Sequence, residues 1–107
     1  MITGFDHIVL TVSDIERAAD FYVRVLGMEK QCFGEGLTAL NFGTQKINLQ
    51  TLGMERLNHA AVGSGDICVV PSWSPQQIAD HLAAENVHVL EGPVQKTGAK
   101  GPITSIY

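Results

Sequence analysis

Three polar side chains of this sequence stand where they could bind one metal ion together. His7, Gln50 and Asp66 each lie in a segment whose alternate residues are apolar. Successive side chains of a β-strand point to opposite faces, so each of the three would turn away from an apolar core. An imidazole nitrogen, an amide oxygen and a carboxylate oxygen suit a divalent ion such as Zn, Ni, Mn, Fe or Co, with positions left open for a substrate.

An ion held by these groups would act as a Lewis acid. It would bind two adjacent oxygens of a small-molecule substrate and stabilise an enediolate, while a nearby carboxylate moves a proton. Each residue also has a simpler structural interpretation, which the sequence leaves open. His7 could be a satisfied polar residue at the start of a strand, and Gln50 could bond only to backbone or water. Asp66 could cap the turn at Ser64 and Gly65.

A strand, a helix and three further strands would position His7 and Gln50. Residues Asp6 to Val12 alternate as a half-buried strand does. Ser13 and Glu16 then form a capping box, which predicts a helix with one apolar stripe that ends at Gly27. Three short strands are predicted next, at about 28–33, 37–42 and 46–52. This is one β-α-β-β-β unit.

The same pattern begins again after residue 64, with Asp66 in the place that His7 holds in the first unit. A strand is predicted over Asp66 to Val70, and Ser74 with Gln77 forms a second capping box before a second helix. Val87 to Glu91 follows as a strand. The prediction is an α+β fold in which paired β-α-β-β-β units form an open, curled mixed sheet around a cleft.

The predicted organisation is a single domain over residues 1–107. It consists of a first unit at 1–52, a linker at 53–64 and a second unit at 65–107. The counterpart of the strand at 46–52 would lie past residue 107, so we expect the second unit to lack its last strand. An open sheet edge invites pairing with another chain, and we therefore expect a homodimer.

Composition limits the classes of partner. The chain is 45% hydrophobic and 17% charged, with a formal net charge of -4 and no basic stripe, which argues against nucleic acid. No segment is long and apolar enough to cross a bilayer and no signal-peptide pattern is found, so we expect a cytoplasmic protein without a membrane partner. Cys32 and Cys68 fall in predicted strands and are predicted to be buried free thiols.

Several motifs agree in order with one known family. They are the Asp6 to Val12 opening, Phe21-Tyr22 with Leu26-Gly27-Met28, the Phe42 to Leu49 hairpin, Gly63 to Cys68, and the segment from Glu91-Gly92-Pro93 to Ser105-Ile106-Tyr107. Together they resemble the glyoxalase/bleomycin-resistance/extradiol-dioxygenase (vicinal oxygen chelate) superfamily, and within it the branch of glyoxalase domain-containing protein 5.

The resemblance implies three candidate functions. The first is a metal-dependent lyase or isomerase like lactoylglutathione lyase, with metal ligands at His7, Gln50 and Asp66. Its catalytic glutamate would fall beyond Tyr107, so no catalytic residue is predicted in this chain and no cofactor besides the metal. The second is a metal-free binding module like the bleomycin-resistance proteins. The third is an extradiol-type dioxygenase, which ranks last because it needs a second histidine where this chain has Gln50 and Asp66.

Overall fold

The computed structural model describes residues 1–107, which form two compact units, Met1–Ile67 and Cys68–Tyr107. The first unit contains one helix and a four-stranded sheet. Its elements in chain order are β1 (Ile8–Thr11), α1 (Ile15–Leu26), β2 (Glu29–Phe33), β3 (Leu37–Phe42) and β4 (Gln45–Gln50). The predicted β-α-β-β-β order of this unit is confirmed.

The sheet of the first unit is mixed and unclosed, with the strand order β1-β4-β3-β2. β1 runs parallel to β4, while β3 is antiparallel to both β4 and β2. The pairing of β1 with β4 sets Ile8 beside Ile47 and Thr11 beside Gln50. Because β1 has a strand neighbour on one side only, its other edge is open. The predicted mixed α+β fold with an unclosed sheet is confirmed.

One face of this sheet is apolar and packs with α1. The buried cluster consists of Ala19, Met28, Leu40, Ile47 and Leu49. Leu40 and Ile47 are the largest fully buried side chains, and burial of such side chains contributes about 2 kcal/mol each. Since strand residues alternate between faces, burying Ile47 and Leu49 leaves Asn48 and Gln50 on the opposite face.

Helix α1 begins one residue later than the predicted capping box requires. Its N-cap is Asp14, which has an extended backbone and whose side-chain carboxylate accepts a hydrogen bond from the Arg17 N–H at 2.9 Å. A carboxylate also interacts favourably with the helix N-terminus, so Asp14 takes the place predicted for Ser13. The helix ends as predicted at Gly27, whose φ of 66° is left-handed.

The second unit contains α2 (Pro75–Ala84), β5 (Val94–Gly98) and β6 (Gly101–Ser105). The predicted capping box is present, with Ser74 Oγ accepting from the Gln77 N–H and Gln77 Oε1 accepting from the Ser74 N–H. β5 and β6 pair as an antiparallel ribbon.

Two strands predicted near the second unit are absent as strands. Residues 66–70 are all exposed and hydrogen-bond to no neighbouring strand, so their apolar alternation has no sheet to join. Residues 87–91 are not a strand either, although Leu90 N–H donates to the Tyr107 carbonyl at 2.6 Å and Tyr107 N–H donates to the Glu91 carbonyl at 2.7 Å.

The cysteine prediction was wrong about burial. Cys32 lies in the predicted strand, but both Cys32 and Cys68 are exposed. β2 is an edge strand and the segment around Cys68 has no covering layer of its own, so neither thiol is enclosed. Both are free thiols, as predicted. No helix of the structure is long and apolar enough to span a membrane.

Candidate active site on the polar face of the sheet

The sheet face opposite α1 carries a set of polar side chains, which we call the polar face. Strand register and alternation place on it His7, Thr11, Glu29, Gln31, Asn41, Lys46, Asn48 and Gln50. Some of these groups satisfy each other, as when Asn41 Nδ2 donates to Gln31 Oε1 at 2.8 Å. Others retain free donor or acceptor atoms, and these are the groups that could bind a ligand or metal.

His7 directly precedes β1 and is held by its neighbour in sequence. Its Nδ1 lies 2.7 Å from Asp6 Oδ2, and the His7 side chain is 38% exposed. A carboxylate can only accept, so the neutral ring carries its proton on Nδ1 and leaves the Nε2 lone pair available. The hydrogen bond from His7 lowers the pKa of Asp6 below its usual value, and electrostatic interactions with His7 and with Lys46 lower it further.

Lys46 adds a positive charge near this end of the polar face. Its Nζ lies 4.5 Å from the centre of the Phe33 ring, a cation–π distance. Lys46 makes no ion pair, although it is close enough to Asp6 to lower the pKa of that carboxyl. A free cation next to His7 would attract an anionic substrate.

Asn48 has a side-chain oxygen that is buried without a hydrogen-bond partner. It pairs with Val9 of β1 and Ala39 of β3, and Ala39 is fully buried. Val9 is two residues along the strand from His7, so the Cα atoms of His7 and Asn48 are roughly 8 Å apart. The two residues therefore lie on the same face of neighbouring strands. A buried acceptor left unpaired costs about 1–3 kcal/mol, so this oxygen calls for a partner.

Gln50 lies at the other end of the polar face from His7. Its Nε2 donates to Thr11 Oγ1 at 2.8 Å and to Asn58 Oδ1 at 3.3 Å, and the residue is 9% exposed. Thr11 is four residues from His7, which corresponds to about 13 Å along a strand. The structure therefore sets Gln50 beside Thr11, well away from His7. Metal ligation by Gln50 stays a prediction, for which its Oε1 atom is free.

Asp66 is exposed, and its carboxylate makes no hydrogen bond or ion pair. The structure gathers no group of three His, Cys, Asp or Glu side chains that could hold a metal, so Asp66 does not join Asp6 and His7. The residue before Asp66 nevertheless lies against β1, because a Cβ on Gly65 would be 2.6 Å from Leu10 Cδ2. Its predicted role as a metal ligand stays a prediction.

Sequence reasoning missed Asn48 as a candidate. The signal was present, because Asn48 has the same strand parity as Gln50 and stands closer to His7 in a parallel pairing with β1. The donor set on one chain is thus an imidazole nitrogen and an amide oxygen. These two groups are compatible with a borderline divalent ion, but they do not complete a site of three protein ligands.

The comparisons with known proteins agree with this architecture. Residues 4–101 match the family model described as the Glyoxalase/Bleomycin resistance protein/Dioxygenase superfamily. The chain belongs to this superfamily. Glyoxalase domain-containing protein RDO1 of Mycosarcoma maydis is 46% identical over 109 residues, covering 99% of this chain and 61% of that protein. The chain thus spans about three fifths of the length of that relative, and membership of the branch of glyoxalase domain-containing protein 5 stays a prediction.

Solved structures share this fold at high and low sequence identity. Integron cassette protein VCH_CASS1 from the mobile metagenome of V. cholerae is 45% identical, with a TM-score of 0.93 over 100% of this chain and 86% of that chain. Lactoylglutathione lyase from Agrobacterium tumefaciens is 20% identical, with a TM-score of 0.67 over 94% of this chain and 81% of that chain. TnmS3, an antibiotic-binding protein from Streptomyces sp. CB03234, is also 20% identical, with a TM-score of 0.69 over 89% of this chain and 79% of that chain. The two distant likenesses concern the glyoxalase fold alone, because one scaffold hosts many activities.

Proposed function

We propose that this glyoxalase-superfamily domain is a metal-dependent lyase or isomerase resembling lactoylglutathione lyase, with His7 as its first metal ligand. The hydrogen bond between Asp6 and His7 carries the proposal. Histidines that bind metals commonly donate their other ring N–H to a carboxylate, which fixes the ring and makes the free nitrogen more basic. The substrate would be a small molecule with two adjacent oxygens.

Asn48 supports the proposal from the neighbouring strand. Its unpaired buried oxygen lies on the same polar face as His7, on the strand paired with β1. A divalent ion bound there would polarise the substrate oxygens as a Lewis acid. Lys46, held over Phe33, would attract an anionic group of the substrate toward the same end of the face.

We assign the remaining ligand to Asp66 of a second copy of the chain. Asp66 of the same chain is exposed and is not gathered with His7. The open edge of β1 lies next to His7, and Ile8 and Val9 on that strand are 39% and 41% exposed. An unpaired edge with exposed apolar side chains favours pairing with another chain. The active form would then be a homodimer with shared sites.

Calorimetric titration with Zn²⁺, Ni²⁺ and Co²⁺ tests the metal site. We expect the wild-type protein to bind, and His7→Ala and Asp66→Ala each to lose binding. His88→Ala is the matched control, because His88 is an exposed histidine outside the sheet and should bind as the wild type does. Equal heats for all four proteins would contradict the proposal.

Mixing the His7→Ala and Asp66→Ala variants tests whether two chains share one metal site. A mixed dimer of His7→Ala and Asp66→Ala chains contains one intact His7 and Asp66 pair across the interface. If the ligands come from different chains, each mixed dimer should regain one of its two metal sites. Absence of any recovery, with dimers shown by light scattering, would place both ligands on one chain.

A metal-free binding module is the second candidate function. It is favoured by the absence of a cluster of three metal-ligating His, Cys, Asp or Glu side chains in the structure. Metal-free bleomycin is a suitable probe, and stabilisation by a bound ligand follows from its preference for the folded state. A rise in Tm that EDTA leaves unchanged would support this function. A rise in Tm that EDTA abolishes would contradict this second function and support the metal-dependent proposal.

A further inference from the structure

A cleft opens in the first unit, at the end of the β1–β4 pair away from His7. Its volume is about 400 Å³, within the range of small-molecule sites. The strand ends contribute Thr11 and Gln50, and the segment of residues 51–61 provides the other walls. His7 and Asn48 do not line it, so it is separate from the proposed metal site.

The orientation of the Gln50 amide in this cleft is fixed by its neighbours. Asn58 Oδ1 accepts from the Ala60 N–H at 3.3 Å, which identifies that atom as the oxygen. The Gln50 atom that faces Asn58 Oδ1 at 3.3 Å must therefore be the NH₂ group, which also donates to Thr11 Oγ1. Gln50 Oε1 consequently points elsewhere and makes no hydrogen bond.

The free oxygen of Gln50 is accessible from the cleft. Gln50 lines the cleft and is only 9% exposed as a residue. Its unpaired Oε1 nevertheless retains some solvent-accessible surface. Because the side chain is held in place by burial and its Oε1 is unpaired at an open cavity, this oxygen is suited to accept a hydrogen bond from a ligand. The Thr11 hydroxyl uses its oxygen to accept from Gln50 and has its own proton free to donate.

The cleft also carries one full charge of each sign. Arg56 lines it and makes no ion pair, so its guanidinium is free to bind a carboxylate in a bidentate manner. Glu55 lines it as well, and its Oε1 accepts from the Leu57 N–H at 2.9 Å, which steadies the carboxylate. A ligand with a single charge would meet repulsion from one of these groups, whereas a ligand with both charges can satisfy both.

We propose that this cleft binds a small zwitterion of the α-amino carboxylate class. The carboxylate of the ligand would pair with Arg56, and its ammonium group would donate to Gln50 Oε1 and interact with Glu55. Leu52, Ala60 and Ala61 supply apolar wall for a short side chain. Binding here requires neither a metal nor His7.

Alanine, lactate and propionate form a probe series that isolates the donor group. They share a carboxylate on a three-carbon skeleton but carry an ammonium, a hydroxyl and no donor, respectively. We expect alanine to bind most tightly, lactate more weakly and propionate at least about tenfold more weakly than alanine, because propionate leaves Gln50 Oε1 unpaired. Shifts of the Gln50 side-chain NH₂ and of the backbone amides of residues 51–61 in ¹⁵N NMR spectra measure the binding, with EDTA present throughout.

Arg56→Met removes the cation that the carboxylate needs. We expect it to weaken alanine binding by at least about tenfold. Arg17→Met changes an exposed arginine on α1, away from the cleft, and should bind alanine as the wild type does. Unchanged amide positions elsewhere in the Arg56→Met spectrum establish that the variant is folded.

Three results would overturn the proposal. One is an alanine titration of the wild type that leaves the Gln50 side-chain resonance unmoved. Another is equal alanine affinity in the wild type and in folded Arg56→Met. Tighter binding of lactate than of alanine would also overturn the zwitterion assignment, since it would show that the ammonium group is not selected.

Discussion

The Gln50 amide donates to the Thr11 hydroxyl at 2.8 Å, between the parallel strands β4 and β1. This bond is buried and ties β4 to the edge strand β1. Thr11 is 6% exposed and Gln50 is 9% exposed, so neither group can exchange its partner freely for water. The bond therefore fixes the end of the polar face at the proposed zwitterion cleft, which lies away from the proposed metal site.

Gln50→Glu should destabilise the protein because a carboxylate cannot donate to Thr11 Oγ1 and Asn58 Oδ1 together. We expect the free energy of unfolding to fall by about 2 kcal/mol at pH 7. Urea denaturation measures the change. Gln45→Glu, at the exposed start of the same strand, is the control and should change stability by less than about 0.5 kcal/mol. A similar loss in both variants would argue against a special role for the buried amide.

The lowered pKa of Asp6 predicts a pH dependence at the proposed metal ligand. The unfolded carboxyl titrates near 3.8, and the folded carboxyl titrates below that value because of its hydrogen bond from His7. The contribution of the pair to stability is therefore fully present above pH 3.8, and it is lost as the pH falls through the folded pKa.

An NMR titration of the Asp6 carboxyl carbon measures this shift. His7→Ala should raise the Asp6 pKa the most, since His7 supplies the two largest lowering effects, and Lys46→Met should raise it less. Lys100→Met, in the second unit, should leave it unchanged. An Asp6 pKa that stays the same in His7→Ala would contradict the hydrogen bond on which the proposed function depends.

Local patterns in the sequence were sufficient to predict much of the fold. The capping box of Ser74 and Gln77 and the helix end at Gly27 involve residues a few positions apart, and both appear as predicted. Strand alternation also predicted correctly that Gln50 and Asn48 face away from the apolar core. Asp14 replaced Ser13 because two adjacent residues can both cap a helix, and only their backbone geometry decides between them.

The candidate site was harder to predict because it depends on pairings between distant segments. Alternation gives the face of a residue but not its position along the neighbouring strand. The parallel register of β1 and β4 sets Gln50 beside Thr11 and leaves Asn48 as the nearer neighbour of His7. The exposure of Asp66 and Cys68 depends on whether another element packs over the segment after residue 64. No local sequence pattern encodes that packing.

Leu40→Ala should remove the centre of the core between α1 and the sheet. Leu40 is 0% exposed, and truncating such a leucine costs about 3 kcal/mol through lost burial and the cavity left behind. Leu37→Ala on the same strand is the matched control, because Leu37 is 40% exposed and should cost less than about 1 kcal/mol. Thermal or urea unfolding of both variants gives the comparison, and equal losses would mean that the core is not centred on Leu40.

Gly65→Ala tests whether the segment that carries Asp66 packs on β1. An added Cβ would lie 2.6 Å from Leu10 Cδ2, so Leu10 must move, and we expect a loss of about 1 kcal/mol in the free energy of unfolding. Leu10→Val removes the Cδ atoms, and in that background the cost of Gly65→Ala should largely disappear in a double-mutant cycle. Gly4→Ala adds a methyl group in open space and should be neutral within about 0.5 kcal/mol. Additive losses from Gly65→Ala and Leu10→Val would mean that the two residues do not touch, and that Asp66 is not held near the strand that follows His7.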